Sequence, residues 1–332
     1  WNFMIDQGGT FTDIIAVCPS NKVITKKVLS FKNDKKYNSL IHGINLIKNN
    51  SKKYSGYPIG TVKIGTTIGT NALLERKGFN VLLVVTKGFK DNFIIGTQQR
   101  NHIFKRHHIR KKDIYNAVLE VDERISKSGK VLRILDKNKT NRLLKNFFNK
   151  GINSIAINLI NGFKHTKHER EILYLAKKIG FKYISCSHQV SPTINFTSRG
   201  YTTLVDAYLN PIINKYINSL ESNLKADNIY YMQSNGLLES KTNFNGRNSI
   251  FSGPAGGLTA GIDLSKKNKE KKMIGFDMGG TSADIWHYNG ELEKRIEVKI
   301  SDILIKTPSL KIDSIAAGGS SITKYENGRF VV

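Results

Sequence analysis

Short apolar runs separated by glycine-rich polar turns dominate the chain and predict an α/β protein. The runs predict strands at 3–5, 12–17, 23–29, 61–65, 81–86, 153–159, 181–186, 229–234, 273–277 and 283–288. Apolar residues at helical spacing predict helices at 35–48, from about 71 to 78, at 139–150, 167–179 and 199–224, and from Pro254 onward. Helix and strand alternate from 139 to 186, which indicates parallel pairing in an α/β layer.

Two features of this pattern bear on domain organisation. Residues 87–135 are polar and mixed, and we interpret them as an insertion. Pro211 is expected to kink or restart the long helix. We expect an N-terminal region at 1–195 and a second region at 196–332, and we interpret the chain as incomplete at its C-terminus because it stops at NGRFVV without a closing helix.

The charge of the chain changes this picture little. Lys and Arg number 52 against 26 acids, a net charge of +26, which by itself favours a nucleic-acid or anionic-membrane partner. The lysines are scattered among asparagines along the whole chain, so we favour a solvated surface over a binding stripe and do not expect nucleic acid as the partner. The 39% hydrophobic content is that of a globular protein.

Cysteine usage and hydropathy bear on the compartment. Cys18 and Cys186 cannot build a disulfide framework, which is typical of a reducing cytoplasm. No apolar run approaches the roughly 18 residues that a membrane span requires, so we expect no membrane partner. Cys186 ends an apolar strand and is interpreted as a buried small residue, not as a nucleophile.

The motif DQGGTFTD, at 6–13, returns as DMGGTSAD at 277–284. Asp, Gly, Gly, Thr and Asp keep the same register, each pair 271 residues apart. Both copies lie between predicted strands, so we interpret them as one hairpin device used twice, on two facing lobes. A single copy would most often be only a turn.

The residue types of the hairpins suit phosphate chemistry. Two glycines allow the backbone to approach a ligand closely, and their N–H groups with the Thr hydroxyl form a concavity for phosphate oxygens. An acid at the strand end can hold Mg²⁺ or orient water. The candidate catalytic and metal-binding acids are Asp277 and Asp6, and the candidate nucleotide-binding residues of the hairpins are Gly8, Gly9, Thr10, Thr12, Gly279, Gly280 and Thr281.

Two further glycine-rich turns extend the candidate site. SGPAGG precedes a predicted helix, so Ser252, Gly253 and Gly256 are candidates for binding an anion at its N-terminus, although a closely packed helix start explains them equally well. Thr66, Thr67 and Asn71 are candidates for contacting a substrate, with helix capping as the alternative. His102, His107, His108, His165 and His168 lack acid or Cys partners at zinc spacing, and we interpret them as surface residues.

A series of segments resembles the hydantoinase A/5-oxoprolinase family over nearly the whole chain. The segments are DQGGTFTD, GTTIGTNALLERKG, TKGFKDNFIIGTQQR, SRGYTTLVDAYLNP, MQSNG, SGPAGG and GFDMGGTSAD. LEVDERI, the RG at 199–200 and SIAAGGSS are closer to the ATP-hydrolysing 5-oxoprolinases of the family than to its other branches.

The resemblance implies a fold and a chemistry. The fold is that of the actin-like, ribonuclease H-like ATPases, in which two lobes face each other with β-hairpin phosphate loops. Gly8, Gly9 and Thr10 would form the first loop and Gly279, Gly280 and Thr281 the second, while Gly318, Gly319 and Ser320 would lie near the adenosine. ATP and Mg²⁺ are the implied cofactors.

The implied activity is ATP-dependent opening of a cyclic amide, with 5-oxoproline to glutamate as the first expectation. A hydantoin or a ketone to be carboxylated is the alternative substrate. A hydantoinase B-like half or subunit is the implied partner, and we also expect a homo-oligomer. The alternative of another class is an inactive nucleotide-binding fragment or a basic protein that binds nucleic acid.

Overall fold

A computed structural model describes residues 1–31, 37–96, 113–280, 282–300, 303–315 and 317–331. The helices are α1 (Ser39–Asn50), α2 (Ile68–Leu74), α3 (Asp91–Ile95), α4 (Lys137–Asn149), α5 (Lys167–Ile179), α6 (Ser187–Val190), α7 (Phe196–Asn223) and α8 (Ser252–Lys267). The strands are β1 (Asn2–Gln7), β2 (Phe11–Val17), β3 (Val23–Leu29), β4 (Ile59–Thr66), β5 (Val81–Thr86), β6 (Ala117–Val121), β7 (Arg124–Ile125), β8 (Val131–Arg133), β9 (Ser154–Asn158), β10 (Tyr183–Cys186), β11 (Ala226–Met232), β12 (Leu238–Glu239), β13 (Met273–Met278), β14 (Ala283–Tyr288), β15 (Lys294–Ile300), β16 (Ile303–Leu310), β17 (Asp313–Ile315), β18 (Lys324–Glu326) and β19 (Arg329–Val331).

The chain divides into two compact units that are not consecutive segments. The first unit comprises 1–71, 213–296 and 308–332, and the second comprises 72–212 and 297–307. The predicted division at 195 and 196 concerns consecutive sequence regions and stays a prediction. Contacts between residues divide the chain into units that are not continuous in sequence, because strands that are distant in sequence pair within one sheet. Both Gly-Gly hairpins belong to the first unit.

The main sheet of the first unit has the strand order β12-β11-β4-β1-β2-β3. β1, β2 and β3 form the predicted antiparallel meander, and β4 and β11 extend it in parallel on the other side of β1. Three meandering strands with parallel strands added beside the first one are the arrangement of the ribonuclease H-like and actin-like folds. The expected α/β fold class is therefore confirmed.

Helix α1 covers one face of this sheet. Asn38 caps α1, because its side-chain oxygen accepts hydrogen bonds from the N–H groups of Leu40 and Ile41 at 3.1 and 3.3 Å. Leu40, Ile44 and Ile47 of α1 join Phe3, Ile5, Ile14, Val62, Ile64, Ile213, Ile217 and Leu220 in one buried core. This core fixes the position of β1, at whose end the first hairpin turns.

A smaller sheet in the first unit carries the second hairpin. Its strand order is β13-β14-β17, all antiparallel. Helix α8 packs against β13, and its Ala255 and Leu258 share a buried cluster with Trp286 and Leu310. The second hairpin is thereby fixed from one side.

The second unit is built on a parallel sheet of order β10-β9-β5-β6. β5 and β9, at its centre, are buried at every position, as expected of parallel strands covered on both faces. β6 lies within the predicted insertion at 87–135, so part of that segment is a strand of this sheet. Its short AVLEV run escaped notice because polar residues surround it.

Helix α7 runs without interruption from Phe196 to Asn223 with Pro211 inside it. The expected restart at Pro211 is therefore absent. Within the described ranges, no helix is long and apolar enough to cross a membrane.

Candidate active site

The two hairpins have the same geometry as well as the same sequence motif. Asp6 pairs with Asp13 across the first hairpin, and Asp277 pairs with Asp284 across the second. Each turn is closed by an equivalent hydrogen bond: the N–H of Gly8 donates to the carbonyl of Phe11 at 3.0 Å, and that of Gly279 to the carbonyl of Ser282 at 2.8 Å. The sequence repeat is therefore a repeat of backbone structure.

The two turns also touch each other. A Cβ atom on Gly280 would lie 2.5 Å from Oγ1 of Thr10, a distance that no real Cβ contact allows. Only glycine fits there without displacing the other turn. The contact explains why the second copy needs its second glycine, and it brings both motifs to one place.

The amide groups of the first turn differ in their availability. The amide of Gly8 is engaged within the turn, whereas in the described part of the chain the amides of Gly9 and Thr10 have no protein acceptor. N–H groups of this kind are suited to phosphate oxygens. The predicted ligand-binding residue Thr281 lies outside the described residues.

Four carboxylates stand at the bases of the hairpins. Asp6 is accessible to solvent, but protein atoms crowd it and withdraw it from bulk water. This desolvation, with the carboxylates of Asp277, Asp13 and Asp284, raises the pKa of Asp6 to about 6, against a smaller opposing effect of Lys27. The pKa of Asp284 is also raised, by burial and by Asp277, against a hydrogen bond from Ser314. Asp6 and Asp277 are thus close enough to repel each other.

Asp13 and Asp284 differ from the acids before the turns. Asp13 is exposed and its carboxylate lies 2.6 Å from the Lys27 ammonium. Oδ1 of Asp284 is buried without a hydrogen-bond partner in the described residues. Asp6 and Asp277 therefore remain the candidates for metal binding and catalysis.

The start of α8 lies close to both acids. A Cβ atom on Gly253 would lie 3.2 Å from Oδ1 of Asp6, and one on Gly257 would lie 3.9 Å from Oδ2 of Asp277. The residue before the helix, Phe251, has φ 56° and provides no side-chain cap. The first turns of α8 therefore lie close to both carboxylates, and a helix N-terminus favours negative charge nearby.

The hydroxyl of Ser252 and the backbone of Gly256 have other surroundings. Ser252 is buried and its Oγ donates to the carbonyl of Thr66 at 2.5 Å. A Cβ on Gly256 would have only Cε of Met232 nearby, at 4.0 Å. Ser252 ties α8 to β4, whereas Gly256 borders open space.

The predicted substrate residues lie beside this helix start. Thr66 is buried, and its Oγ1 accepts from the amide of Ile68 at 3.3 Å. Nδ2 of Asn71 donates to Oγ1 of Thr67 at 3.2 Å, and Cγ2 of Thr67 would lie 3.2 Å from a Cβ on Gly253. The structure brings Thr67 next to Asp6 and gives Thr66 a role in the start of α2.

Thr12 is placed behind the first turn, away from a ligand. It is fully buried, with its hydroxyl 2.8 Å from that of Ser39 and 2.9 Å from that of Ser30. Ser30 in turn donates to the carbonyl of Gly8 at 2.7 Å, and Nε2 of Gln7 donates to Ser39 at 3.3 Å. Thr12 thus belongs to a buried polar network that holds the turn.

The third glycine-rich turn is attached to the second hairpin. The N–H of Gly319 donates to the carbonyl of Gly279 at 2.9 Å, and that of Ser320 to the carbonyl of Gly280 at 3.0 Å. A Cβ on Gly318 would lie 2.6 Å from the carbonyl carbon of Gly280. These residues, expected near adenosine, therefore lie against the turn of the second hairpin.

The acids fit magnesium better than a metal that needs an all-protein cage. Among the described residues, no three His, Cys, Asp or Glu side chains converge as a metal site. Mg²⁺ is commonly held by one or two carboxylates together with substrate phosphates. The mutual repulsion of Asp6 and Asp277 is what a cation between them would relieve.

The second unit contains a buried polar network that sequence reasoning missed. Nδ1 of His168 lies 2.6 Å from Oε2 of Glu123, and Nδ1 of His188 lies 2.6 Å from Oε2 of Glu169. Beside them Arg199 is almost completely buried and donates to Asn158, Ser187, Thr193, Ile194 and Leu159.

Our interpretation of His168 as a surface residue is therefore wrong. His168 shares the apolar face of α5 with Ile172 and Ala176, four and eight residues further on, and this spacing was the signal available. His102, His107 and His108 lie outside the described residues. Cys186 is buried as expected, and burial raises the pKa of its thiol.

Sequence profiles match both halves of the chain. The profile of the hydantoinase/oxoprolinase N-terminal region matches residues 2–180, and that of hydantoinase/oxoprolinase matches residues 199–332.

Individual proteins are similar over nearly the full length of the chain. A 5-oxoprolinase from Dictyostelium discoideum is 40% identical over 99% of the chain, which spans 30% of that protein. The crystal structure of ATP-dependent caprolactamase from Pseudomonas jessenii superposes with a TM-score of 0.81 at 25% identity, over 98% of this chain and 49% of that one. The nucleotide-free structure of acetone carboxylase superposes with a TM-score of 0.80 at 21% identity, over 98% of this chain and 49% of that one.

Proposed function

The chain belongs to the hydantoinase/oxoprolinase family, and from that premise we propose that it is the nucleotide-binding part of an enzyme that uses ATP to open a cyclic amide. The observation that carries the proposal is the contact between the two hairpin turns at Gly280 and Thr10. It brings the two turns together, and with them Asp6 and Asp277, which supports a single nucleotide site.

ATP is needed because an amide carbonyl is a poor electrophile. The amide oxygen attacks the γ-phosphorus, a new O–P bond forms, and the bond from that phosphorus to the ADP oxygen breaks. Water adds to the activated carbon, and the C–N bond breaks with its electron pair passing to nitrogen, which takes a proton. A second water releases phosphate and leaves the carboxylate, so two waters are consumed per ATP.

The residues of the first unit have separate parts in this scheme. The amides of Gly9 and Thr10 and the start of α8 bind and orient phosphate oxygens. Asp277 orients the amide for attack and accepts the proton that the amide nitrogen releases as the oxygen is phosphorylated, and Asp6 is the first candidate for holding magnesium, although the two roles could be exchanged. When bound, Mg²⁺ would neutralise charge on the transferring phosphoryl group.

We propose 5-oxoproline as the substrate and glutamate as the product. The support is the similarity to a protein named 5-oxoprolinase, at 40% identity over 99% of the chain. The similarity to caprolactamase favours a second candidate, another lactam, and the acetone carboxylase fold leaves a ketone as the third.

A partner and a location complete the proposal. The chain spans 30% of the Dictyostelium relative, so we propose that a hydantoinase B-like half or subunit supplies the rest of the reaction site. The two cysteines are buried and free, in keeping with the proposed cytoplasmic location. A homo-oligomer is the proposed form of assembly.

The test is ATP turnover by the protein as expressed from its own gene. Phosphate and amino-acid release would be measured with 5-oxoproline, a hydantoin, caprolactam, or acetone with bicarbonate. We expect 5-oxoproline to stimulate turnover and to yield glutamate and phosphate in equal amounts. Turnover that ignores 5-oxoproline would refute the substrate, and salt-sensitive DNA retention without protection by ATP would refute the enzyme class.

A further inference from the structure

One face of the second hairpin carries apolar side chains that remain exposed. Ile274, Phe276 and Met278 alternate along β13 and are 79%, 64% and 57% exposed. Ile285 lies opposite Phe276 on β14, and Ile315 lies opposite Ala283 on β17. Directly opposed residues share a face of a sheet. We call this surface, formed by Ile274, Phe276, Met278, Ile285 and Ile315, the open face.

The equivalent face of the first hairpin is completely covered. By the offset of the repeated motif, Phe3, Ile5 and Ile14 correspond to Ile274, Phe276 and Ile285. Phe3, Ile5 and Ile14 are 1%, 4% and 1% exposed. Two hairpins with the same register and the same turn bond thus differ in one respect, the layer over this face.

Helix α1 provides that layer in the first hairpin. A Cβ atom on Gly43 of α1 would lie 2.0 Å from Cδ1 of Ile14, so the helix backbone rests directly on this strand. Leu40, Ile44 and Ile47 extend the contact over the same buried core. An amphipathic helix with a small residue at its centre is what this face of the hairpin accommodates.

The other face of the second hairpin is already filled. The ring of Trp286 lies over Gly275 and against Gly261 of α8, and a Cβ on either glycine would lie 2.0 Å from a ring atom. Among the described residues, the hairpin is therefore packed on one side, whereas Ile274, Phe276, Met278 and Ile315 on the other side are more than half exposed. The small Ala283, between Met278 and Ile315, is buried. Contiguous exposed apolar surface of this kind marks an interaction site.

We propose that the open face is the docking site of an amphipathic α-helix, equivalent to α1, from polypeptide outside these 332 residues. The repeat indicates a helix as the missing layer. The Dictyostelium relative, of which the chain spans 30%, has ample further sequence to supply one. A second copy of these 332 residues is the weaker candidate for this face, because the net charge of +26 on each copy opposes direct contact between two of them here.

Thiol labelling tests the assignment, because Cys18 and Cys186 are both buried. Ile274→Cys places a thiol on the open face, and Tyr174→Cys, on the exposed side of α5, is the matched control. In the protein as expressed from its own gene, we expect a maleimide to label Cys at 274 at least about tenfold more slowly than Cys at 174. The 332-residue chain expressed alone should label at both positions at similar rates.

Two results would overturn the proposal. Equal labelling at 274 and 174 in the gene product would show that nothing covers the face. Protection of position 274 in the 332-residue chain that rises with protein concentration would show that a second copy covers it.

Methionine oxidation gives the same information without a substitution. Met278 is on the open face and Met4, on β1, is a partly exposed reference. Exposed methionines are oxidised to the sulfoxide by peroxide. We expect Met278 to be oxidised more slowly than Met4 in the gene product and faster than Met4 in the 332-residue chain, and faster oxidation in both proteins would contradict the proposed helix.

Discussion

Gly280 of the second hairpin lies against Thr10 of the first so closely that a Cβ atom on Gly280 would be 2.5 Å from the Thr10 hydroxyl oxygen. The backbone of one motif therefore sets the position of the other. This relationship makes the site sensitive to the smallest possible side chain, a methyl group.

Gly280→Ala is expected to raise the KM for ATP by about a hundredfold, because it separates the two turns by a fraction of an ångström to an ångström. Steady-state phosphate release against ATP concentration measures it. Gly56→Ala is the matched control, since a Cβ there meets nothing within 4 Å. An unchanged KM in a folded Gly280→Ala protein would show that the turns do not act together on the nucleotide.

Asp6→Asn is expected to raise the melting temperature of the ligand-free protein at pH 7.5. The pKa of Asp6 is raised to about 6 from 3.8, so the folded protein holds this proton more tightly than the unfolded chain. The resulting stabilisation is complete below pH 4 and is lost as pH rises through 6. Asparagine is uncharged, so it removes the desolvation cost and the repulsion by Asp277 that arise once Asp6 is ionised.

The gain from Asp6→Asn should therefore shrink as pH falls from 7.5 to 5, when melting is followed by scanning calorimetry. Asp13→Asn is the control, because Asp13 is exposed and paired with Lys27. A gain independent of pH would mean that the ionisation of Asp6 is not its source. The same variant should lose the protection that Mg²⁺ with ATP gives the unsubstituted protein.

Asp277→Asn is expected to lower kcat by a factor of about 10² to 10⁴, the usual contribution of a positioned acid or base. Single-turnover ATP cleavage by the complete protein measures this step. Asp13→Asn again provides the comparison, since it removes one hairpin carboxylate without touching the acid before the second turn. A kcat within a few-fold of the unsubstituted enzyme would exclude the catalytic role.

Ser39→Ala is expected to raise the KM for ATP about tenfold with a smaller change in kcat, because the network through Thr12 and Ser30 would hold the carbonyl of Gly8 less firmly. Its effect on unfolding should be about 1–3 kcal/mol, the cost of a buried hydroxyl left with fewer partners. Ser55→Ala, at an exposed serine, is the control. Equal losses in stability with an unchanged KM would assign Ser39 to the core alone.

Arg199→Lys is expected to lower the free energy of unfolding by about 3 kcal/mol, because lysine cannot reach the several acceptors that the buried guanidinium serves. Denaturant titration measures it, with Arg170→Lys on the exposed side of α5 as the control. Burial lowers the pKa of Arg199 to about 10, against an opposing effect of Glu169. A loss equal to that of the control would show that the network tolerates exchange.

The pattern of the sequence predicted the hairpins well, because an acid, two glycines and a threonine between alternating strands specify a backbone. The alternation along β2 also indicates the environment of Thr12, because Thr12 shares its strand face with Ile14 and Ala16 and is buried with them. The sequence did not predict β6, because its short apolar run lies among polar residues. Its parallel pairing with β5 identifies it as a strand of the sheet.

Other features depend on contacts that no local pattern encodes. Pro211 does not end α7, although it has no N–H to donate to the carbonyl of Ala207. That carbonyl accepts a hydrogen bond from the hydroxyl of Ser154 at 2.7 Å instead, and the packing of the surrounding turns outweighs the intrinsic preference of proline. The approach of Gly280 to Thr10 joins positions 270 residues apart in sequence. The repeat suggested that the two turns act together, but only the tertiary structure shows their contact.

The hydrogen bonds from the amides of Gly319 and Ser320 to the carbonyls of Gly279 and Gly280 couple two turns of the candidate site. Two backbone hydrogen bonds join the turn that contains Gly319 and Ser320 and the turn of the second hairpin into a single piece. If the base of the nucleotide rests on the first part of that piece, a poorly fitting base tilts the second part and misaligns the phosphates. Discrimination between nucleotides would then be visible in the rate of the chemical step as well as in affinity.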